Sequence, residues 1–285
     1  MPGAVLALGT GLLFGAFPVA VRVALRPGDH PPMVAAWTLA WAAAATGLAA
    51  VVAVAIEGPP GQLWPFALAG LVAPGASQVL LVLAIREIGP ARSSVAVGTA
   101  PLIAVVGGLV FLGEPIRGMR LVGAALIVVG GVVLVREPDR PEHLRPIGLA
   151  YAAGTVLLFA GRDVLLRWLS TTGAPTVPIA AAAISLGVAA LLAGGWGLGV
   201  GARPSLGSLR RLAVAGVTFG ASYLFLFEAL ARADVSVVSP LVATESLWGV
   251  IFASLVIGKS EAVGPRLVLG ASLVVSGAVL IGAAA

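Results

Sequence analysis

Long apolar runs fill the chain from end to end, interrupted at short intervals by arginine, glutamate, proline or glycine. They fall near residues 4–25, 31–56, 62–85, 91–112 and 117–135, then 146–169, 175–198, 207–230, 235–257 and 263–283. A helix of about 20 apolar residues crosses the hydrocarbon core of a bilayer, so each run predicts one membrane span. The runs are apolar on every face and do not alternate in ten-residue segments, which predicts helices and not barrel strands. The connections are short, among them Arg26–His30, Glu57–Gly61 and Arg136–Arg145. The first run has no basic start and outlasts the short core of a signal peptide, so it is expected to remain as a span. The fold class is therefore all-α integral membrane.

Composition narrows the function. Of 285 residues, 59% are hydrophobic and 10% charged, and the mean hydropathy is +1.08. A water-facing surface usually needs about 25% charged residues, so no sizeable soluble domain fits. With no cysteine there is no disulfide, thiolate metal site or thiol nucleophile. His30 and His143 sit among prolines and charges in loops, so neither a metal nor a cofactor is expected. The net charge of +5 is carried by arginines scattered between apolar runs, which is the pattern of membrane-flanking loops and not of a nucleic-acid surface. The glycine run at 194–201 has no preceding strand, so it reads as a helix end at the membrane interface and not as a phosphate loop.

The chain also repeats itself. At an offset of 145 residues, Gly9-Thr10 and Leu12-Leu13-Phe14 meet Gly154-Thr155 and Leu157-Leu158-Phe159, and Arg22 meets Arg167. Thr99 meets Thr244 and Leu102 meets Leu247; beyond a two-residue insertion, Gly123 meets Gly270 and Gly130 meets Gly277. Five spans per half is an odd number, so the second half enters the membrane from the opposite side. The halves, residues 1–140 and 141–285, are then inverted repeats, an architecture of alternating-access carriers with a substrate site near the midplane. Gly11 and Gly15 share one helical face, and Gly123/Gly130 and Gly270/Gly277 lie two turns apart, as close helix packing requires.

Phe14-Gly15-Ala16-Phe17 with Arg22, then Pro101-Leu102, Leu112-Gly113-Glu114 and Gly123-Ala124-Ala125-Leu126-Ile127 with Gly130, resemble the drug/metabolite transporter superfamily. The closest likeness is to its ten-helix, EamA-type exporters, and it covers essentially the whole chain. Span nine reads Glu245-Ser246 where that family often has Glu-Pro, and Gly258-Lys259-Ser260-Glu261 replaces its compact Leu-Gly-Glu ending. The resemblance implies a bacterial inner-membrane exporter of amino acids, aromatic or bulky apolar ones, with cytoplasmic termini. The charge pattern points the other way: most of the 17 basic residues lie at odd-numbered connections.

Polar groups at membrane depth are the candidate binding residues. Glu245, mid-span, could hold an ammonium or a proton, or it could tie two helices together by hydrogen bonds. Gln78 aligns with Tyr223, and Thr99 with Thr244, so these pairs are expected to converge on a central cavity. Trp248 follows Thr244 by one turn; Trp41, four residues after Trp37, and Phe14 add aromatic surface for an apolar side chain. Arg162-Asp163 read as a bracing or snorkelling pair, and Trp64, Trp168 and Trp196 as an interfacial belt. The partners expected are a small-molecule substrate and lipid, with a monomer compatible with all of this. A membrane-embedded enzyme lacks its constellation: there is no HExxH, no paired intramembrane aspartates and no Ser-His arrangement. A passive channel is a further alternative.

Overall fold

The computed structural model describes residues 2–100, 102–103, 118–135, 145–172, 176–232, 238, 241–258 and 263–283. The expected turn at Glu114, most of the 136–145 connection, the Lys259–Glu261 ending and His143 lie outside the described residues. So do the side chains of Asp163, Arg167 and Trp168.

Helices account for the described parts of the apolar runs. They are α1 (Pro2–Ala24), α2 (Pro31–Glu57), α3 (Trp64–Gly70), α4 (Ser77–Val97) and α5 (Gly118–Val135) in the first half. The second half holds α6 (Ile147–Thr172), α7 (Pro178–Gly199), α8 (Leu206–Arg211), α9 (Ala213–Arg232), α10 (Glu245–Val256) and α11 (Pro265–Ala283). Proline opens α2, α7 and α11, where its missing N–H costs nothing. Leu48, Val51, Ile56, Leu191, Val214 and Leu255 are more than two-thirds exposed, the surface expected of helices facing lipid.

Several spans are broken within their length. Between α3 and α4 a π-helical stretch, Leu71–Ala76, contains Pro74, whose ring cannot continue an α-helix undistorted. Within α4, Gly89 takes φ +79°, a conformation open to glycine, and Pro90 restarts the helix. That one-residue corner separates the third span from the fourth.

The packing repeats as the sequence does. α1 packs on α9, and its counterpart α6 packs on α4; α2 packs on α9, and its counterpart α7 packs on α3 and the π-helical stretch. The pairs α2–α7 and α5–α11 are their own counterparts. At α5–α11 the reciprocity reaches single residues. A Cβ on Gly123 would lie 2.6 Å from the Gly277 carbonyl oxygen, and one on Gly130 would lie 2.8 Å from that of Gly270. Since Gly123 corresponds to Gly270 and Gly130 to Gly277, each contact maps onto the other, as in an isologous two-fold interface. The chain is thus an all-α membrane protein of ten spans in two five-helix repeats.

At the end where α1 meets α2, Asp29 closes a polar clamp. Both its carboxylate oxygens accept from Arg211 Nη2 at 3.1 Å, and Oδ2 accepts from the Arg26 backbone N–H at 2.8 Å. Trp41 Nε1 donates to the Leu209 carbonyl at 2.8 Å in the same region. Asp29→Ala is expected to lower stability by about 1 kcal/mol, the upper range for a partly exposed ion pair. Thermal unfolding of both proteins in low and high salt checks this, and the difference should shrink in salt.

Candidate functional site

Spans four and nine break at equivalent points. The helix is interrupted by turns at Gly98-Thr99 and at Ala243-Thr244, 145 residues apart. The same bonds close both. The Thr99 hydroxyl donates to Ala96 O and the Thr244 hydroxyl to Leu241 O, each at 2.6 Å. Leu102 N–H reaches Thr99 O and Leu247 N–H reaches Thr244 O, each at 3.0 Å. These three-residue steps are the tighter 3₁₀ pattern, with each threonine hydroxyl sharing the carbonyl that its own backbone N–H already reaches. The second break occurs although Ser246 stands where the resembling family often has proline. It puts Glu245 in the first turn of α10, the end where helix dipoles favour a negative group.

Glu245 faces a small cavity at the meeting of the two halves. Phe14, Phe17 and Pro18 line it from α1, Leu81, Ser94 and Val97 from α4, Phe159 from α6, Phe219 from α9 and Glu245 from α10. Phe14 and Phe159 are repeat counterparts, so the aromatic wall straddles the two-fold relation. Phe14 and Phe17 pack on Phe219 with ring centroids 5.8 and 4.7 Å apart. The cavity measures about 20 Å³, room for a single water. Ser94 Oγ is buried there without a protein hydrogen-bond partner. No amino acid or comparable solute fits this volume.

Behind the aromatic wall lies a buried cation. Arg162, 6% exposed, donates from Nη1 to the Tyr223 hydroxyl at 2.7 Å. Its guanidinium carbon sits 4.8 Å from the Phe159 ring centroid and 5.6 Å from that of Tyr223. Tyr223 in turn packs edge-on against Phe14 and lies 4.8 Å from Phe219. A guanidinium at this depth is costly to bury, and two ring faces with a phenol oxygen offset part of that cost.

Both halves of the chain, residues 1–136 and 146–283, match the EamA-like transporter family. The chain belongs to that family. It is accordingly a multi-pass membrane transporter, and its partners are a small-molecule substrate and membrane lipid. A solved crystal structure of a protein is similar in fold, with a TM-score of 0.69 at 18% sequence identity. The match covers 98% of this chain and 95% of the other. No curated protein matches the sequence.

The EamA-like architecture brings together some of the residues expected at its centre and separates others. Phe14 and Glu245 line the cavity. Tyr223 stands one layer behind, joined to Phe14 by ring contact. Gln78, wholly buried in α4, has neither amide atom hydrogen-bonded. Thr99 lines a different hollow, a groove of about 620 Å³ between α5, α6 and the fourth span. A Cβ on Gly11 would collide with the Thr244 hydroxyl, and one on Gly15 would lie 2.5 Å from Trp248 Cβ and 2.7 Å from Gly249 N. Those glycines let α1 lie directly on α10. Trp248 stacks on Phe252, and Trp41 is committed to Leu209. Trp64 and Trp196 are substantially exposed, as an interfacial position requires. Among the described residues, no three His, Cys, Asp or Glu side chains gather to hold a metal ion.

Arg162, read in the sequence as half of a bracing or snorkelling pair, and Phe159 stand at or beside this cavity. An arginine inside an apolar span marks a functional position by default. The alignment of Phe159 with Phe14 already linked the two rings.

Proposed function

We propose that this EamA-like transporter exports amino acids with aromatic or bulky apolar side chains across a bacterial inner membrane by alternating access. The two halves, 1–140 and 141–285, move against each other about the central cavity, and a monomer suffices. The observation that carries this reading is the composition of that cavity: a carboxylate, an unpartnered serine hydroxyl and a wall of phenylalanines contributed by both halves. An amphipathic solute needs that combination, polar partners for one end and apolar surface for the other. Glu245 holds the substrate ammonium. When the helices separate, Gln78 and Tyr223 become available to its polar end, and Trp248 or Trp41 to its side chain. Thr99 and Thr244 act at the breaks that let spans four and nine bend.

Counterflow in proteoliposomes tests this. Vesicles preloaded with an unlabelled apolar amino acid should accumulate the labelled compound transiently, with saturable kinetics. Flux that never saturates would make the protein a channel, and chemical conversion of the amino acid would make it an enzyme.

A further inference from the structure

We infer that the groove between α5, α6 and the fourth span seats one anionic phospholipid of the surrounding bilayer, with an acyl chain in the groove and the phosphate on Arg145. The seat lies apart from the central cavity and does not depend on what that cavity carries.

The groove holds about 620 Å³, within the range of sites that bury a small molecule. Leu149, Ala153 and Leu157, at four-residue steps, present one apolar face of α6 to it, and Ala96 and Ile103 line it from the fourth span. On the α5 side Gly131 leaves open space, with nothing within 4 Å of where a Cβ would stand. Val128, Val132 and Leu157 are about half exposed, so the groove opens sideways onto the surface that meets lipid. Water finds little to hold it there. The Thr99 hydroxyl on the wall already donates to the Ala96 carbonyl, whereas a buried water needs about two to four polar partners. Hydrocarbon suits both the lining and the depth: from Ile147 to Leu157 α6 rises about 15 Å, the hydrocarbon thickness of one leaflet. The repeat shows why the space exists. Gly11 lets α1 lie on the break at Thr244, but at the same offset α6 carries Val156, which keeps it off the break at Thr99.

Charge at one end of the groove selects the headgroup. Arg145 stands one turn before Leu149, where α6 begins, and its backbone N–H donates to the Glu87 carbonyl at 2.8 Å. The Glu87 carboxylate serves two arginines: Arg86 Nε lies 2.9 Å from Oε1, and Arg145 Nη1 lies 3.9 Å from Oε2. The second distance is an ion-pair contact too long for a hydrogen bond. Arg22 adds a third guanidinium, its Nη1 reaching the Arg86 carbonyl at 3.4 Å. Three guanidiniums about one carboxylate leave an excess of positive charge, and the Arg145 side chain is 76% exposed. A guanidinium fork matches a phosphate in two parallel bonds, and basic pockets between spans hold phospholipid headgroups in this way.

Native mass spectrometry of the detergent-purified protein, titrated with phosphatidylglycerol or with phosphatidylcholine, tests the seat. Wild-type protein should hold one phosphatidylglycerol about fivefold more tightly than phosphatidylcholine, or better. Arg145→Gln should weaken phosphatidylglycerol about fivefold and leave phosphatidylcholine unchanged, the effect of one basic residue beside a headgroup. Arg145→Lys should restore most of the difference. Gly131→Leu fills the groove and should weaken both lipids alike, with Ala153→Leu taking its place if that variant does not fold.

A wild type indifferent to headgroup charge, or groove-filled variants that hold phosphatidylglycerol as the wild type does, overturns the inference. So does inorganic phosphate that displaces the lipid from Arg145 while the groove-filled variants bind it unchanged, which makes the cluster a site for free anions. A dimer that Gly131→Leu dissociates puts a second copy of the chain in the groove instead. Displacement of the lipid by an apolar amino acid makes the groove a substrate path, and the lipid seat falls.

Discussion

Glu245→Gln is expected to raise KM for an apolar amino acid about five- to tenfold in counterflow, with the folded state retained. The magnitude follows from exchanging a charge-assisted hydrogen bond, worth about 1.5–3 kcal/mol, for a neutral one. The carboxylate is held at the start of α10 by the break at Ala243-Thr244 and is nearly buried against phenylalanines. In such surroundings an ammonium has few other anionic partners to choose. Glutamine has almost the same shape, so packing of α10 on α1 should persist, which a melting curve in detergent would show. The dependence of transport on pH should change as well, since the titrating group has gone. Unchanged KM and an unchanged pH profile in a folded variant would make Glu245 a residue that ties helices and nothing more.

The second large effect concerns α5 and α11. Gly123→Ala and Gly277→Ala should each lower the stability of the folded protein by about 1–3 kcal/mol, the usual cost of overpacking a tight contact. The added methyl on residue 123 would lie 2.6 Å from a backbone oxygen and 2.8 Å from Ile281 Cγ1. A backbone oxygen cannot swing aside as a side-chain tip can. Gly131→Ala, one residue beyond Gly130, meets nothing within 4 Å and should be stabilising by up to about 1 kcal/mol, because alanine is the better helix former. Melting temperatures of the three variants in one detergent give both signs at once. Equal losses at 123 and 277 are the signature of their reciprocal contact. A neutral Gly277→Ala would mean the helices sit farther apart than described.

The fold was legible because a bilayer leaves the backbone little choice. Every apolar run of about 20 residues had to become a helix, and the residue-by-residue match of Thr99 with Thr244 carried over into the same hydrogen bonds. The site was legible only in part, and the difference lies in rotation about the helix axis. Apolar composition on all faces gives depth in the membrane but no facing, so Thr99 could be placed at mid-span without knowing that it looks into the groove by α5 and α6. The facing of Thr244 and Trp248 is hidden for a related reason: Gly11 and Gly15 draw α1 onto that side of α10. Glu245 was safer, because a carboxylate in a span has to turn inward. Arg162 obeys the same rule, and its bond to Tyr223, 61 positions away in sequence, is a long-range contact that reading along the chain does not reveal.

A cavity with space for one water bears on the electrical properties of the membrane. A proton crosses hydrophobic material by hopping along a file of connected waters, and a single molecule enclosed by Phe14, Phe17, Phe159 and Phe219 is not a file. In this form the cavity beside Glu245 offers no connected path of water between its phenylalanine rings. A proton wire through this cavity would first need the wall of Phe14, Phe17, Phe159 and Phe219 to part.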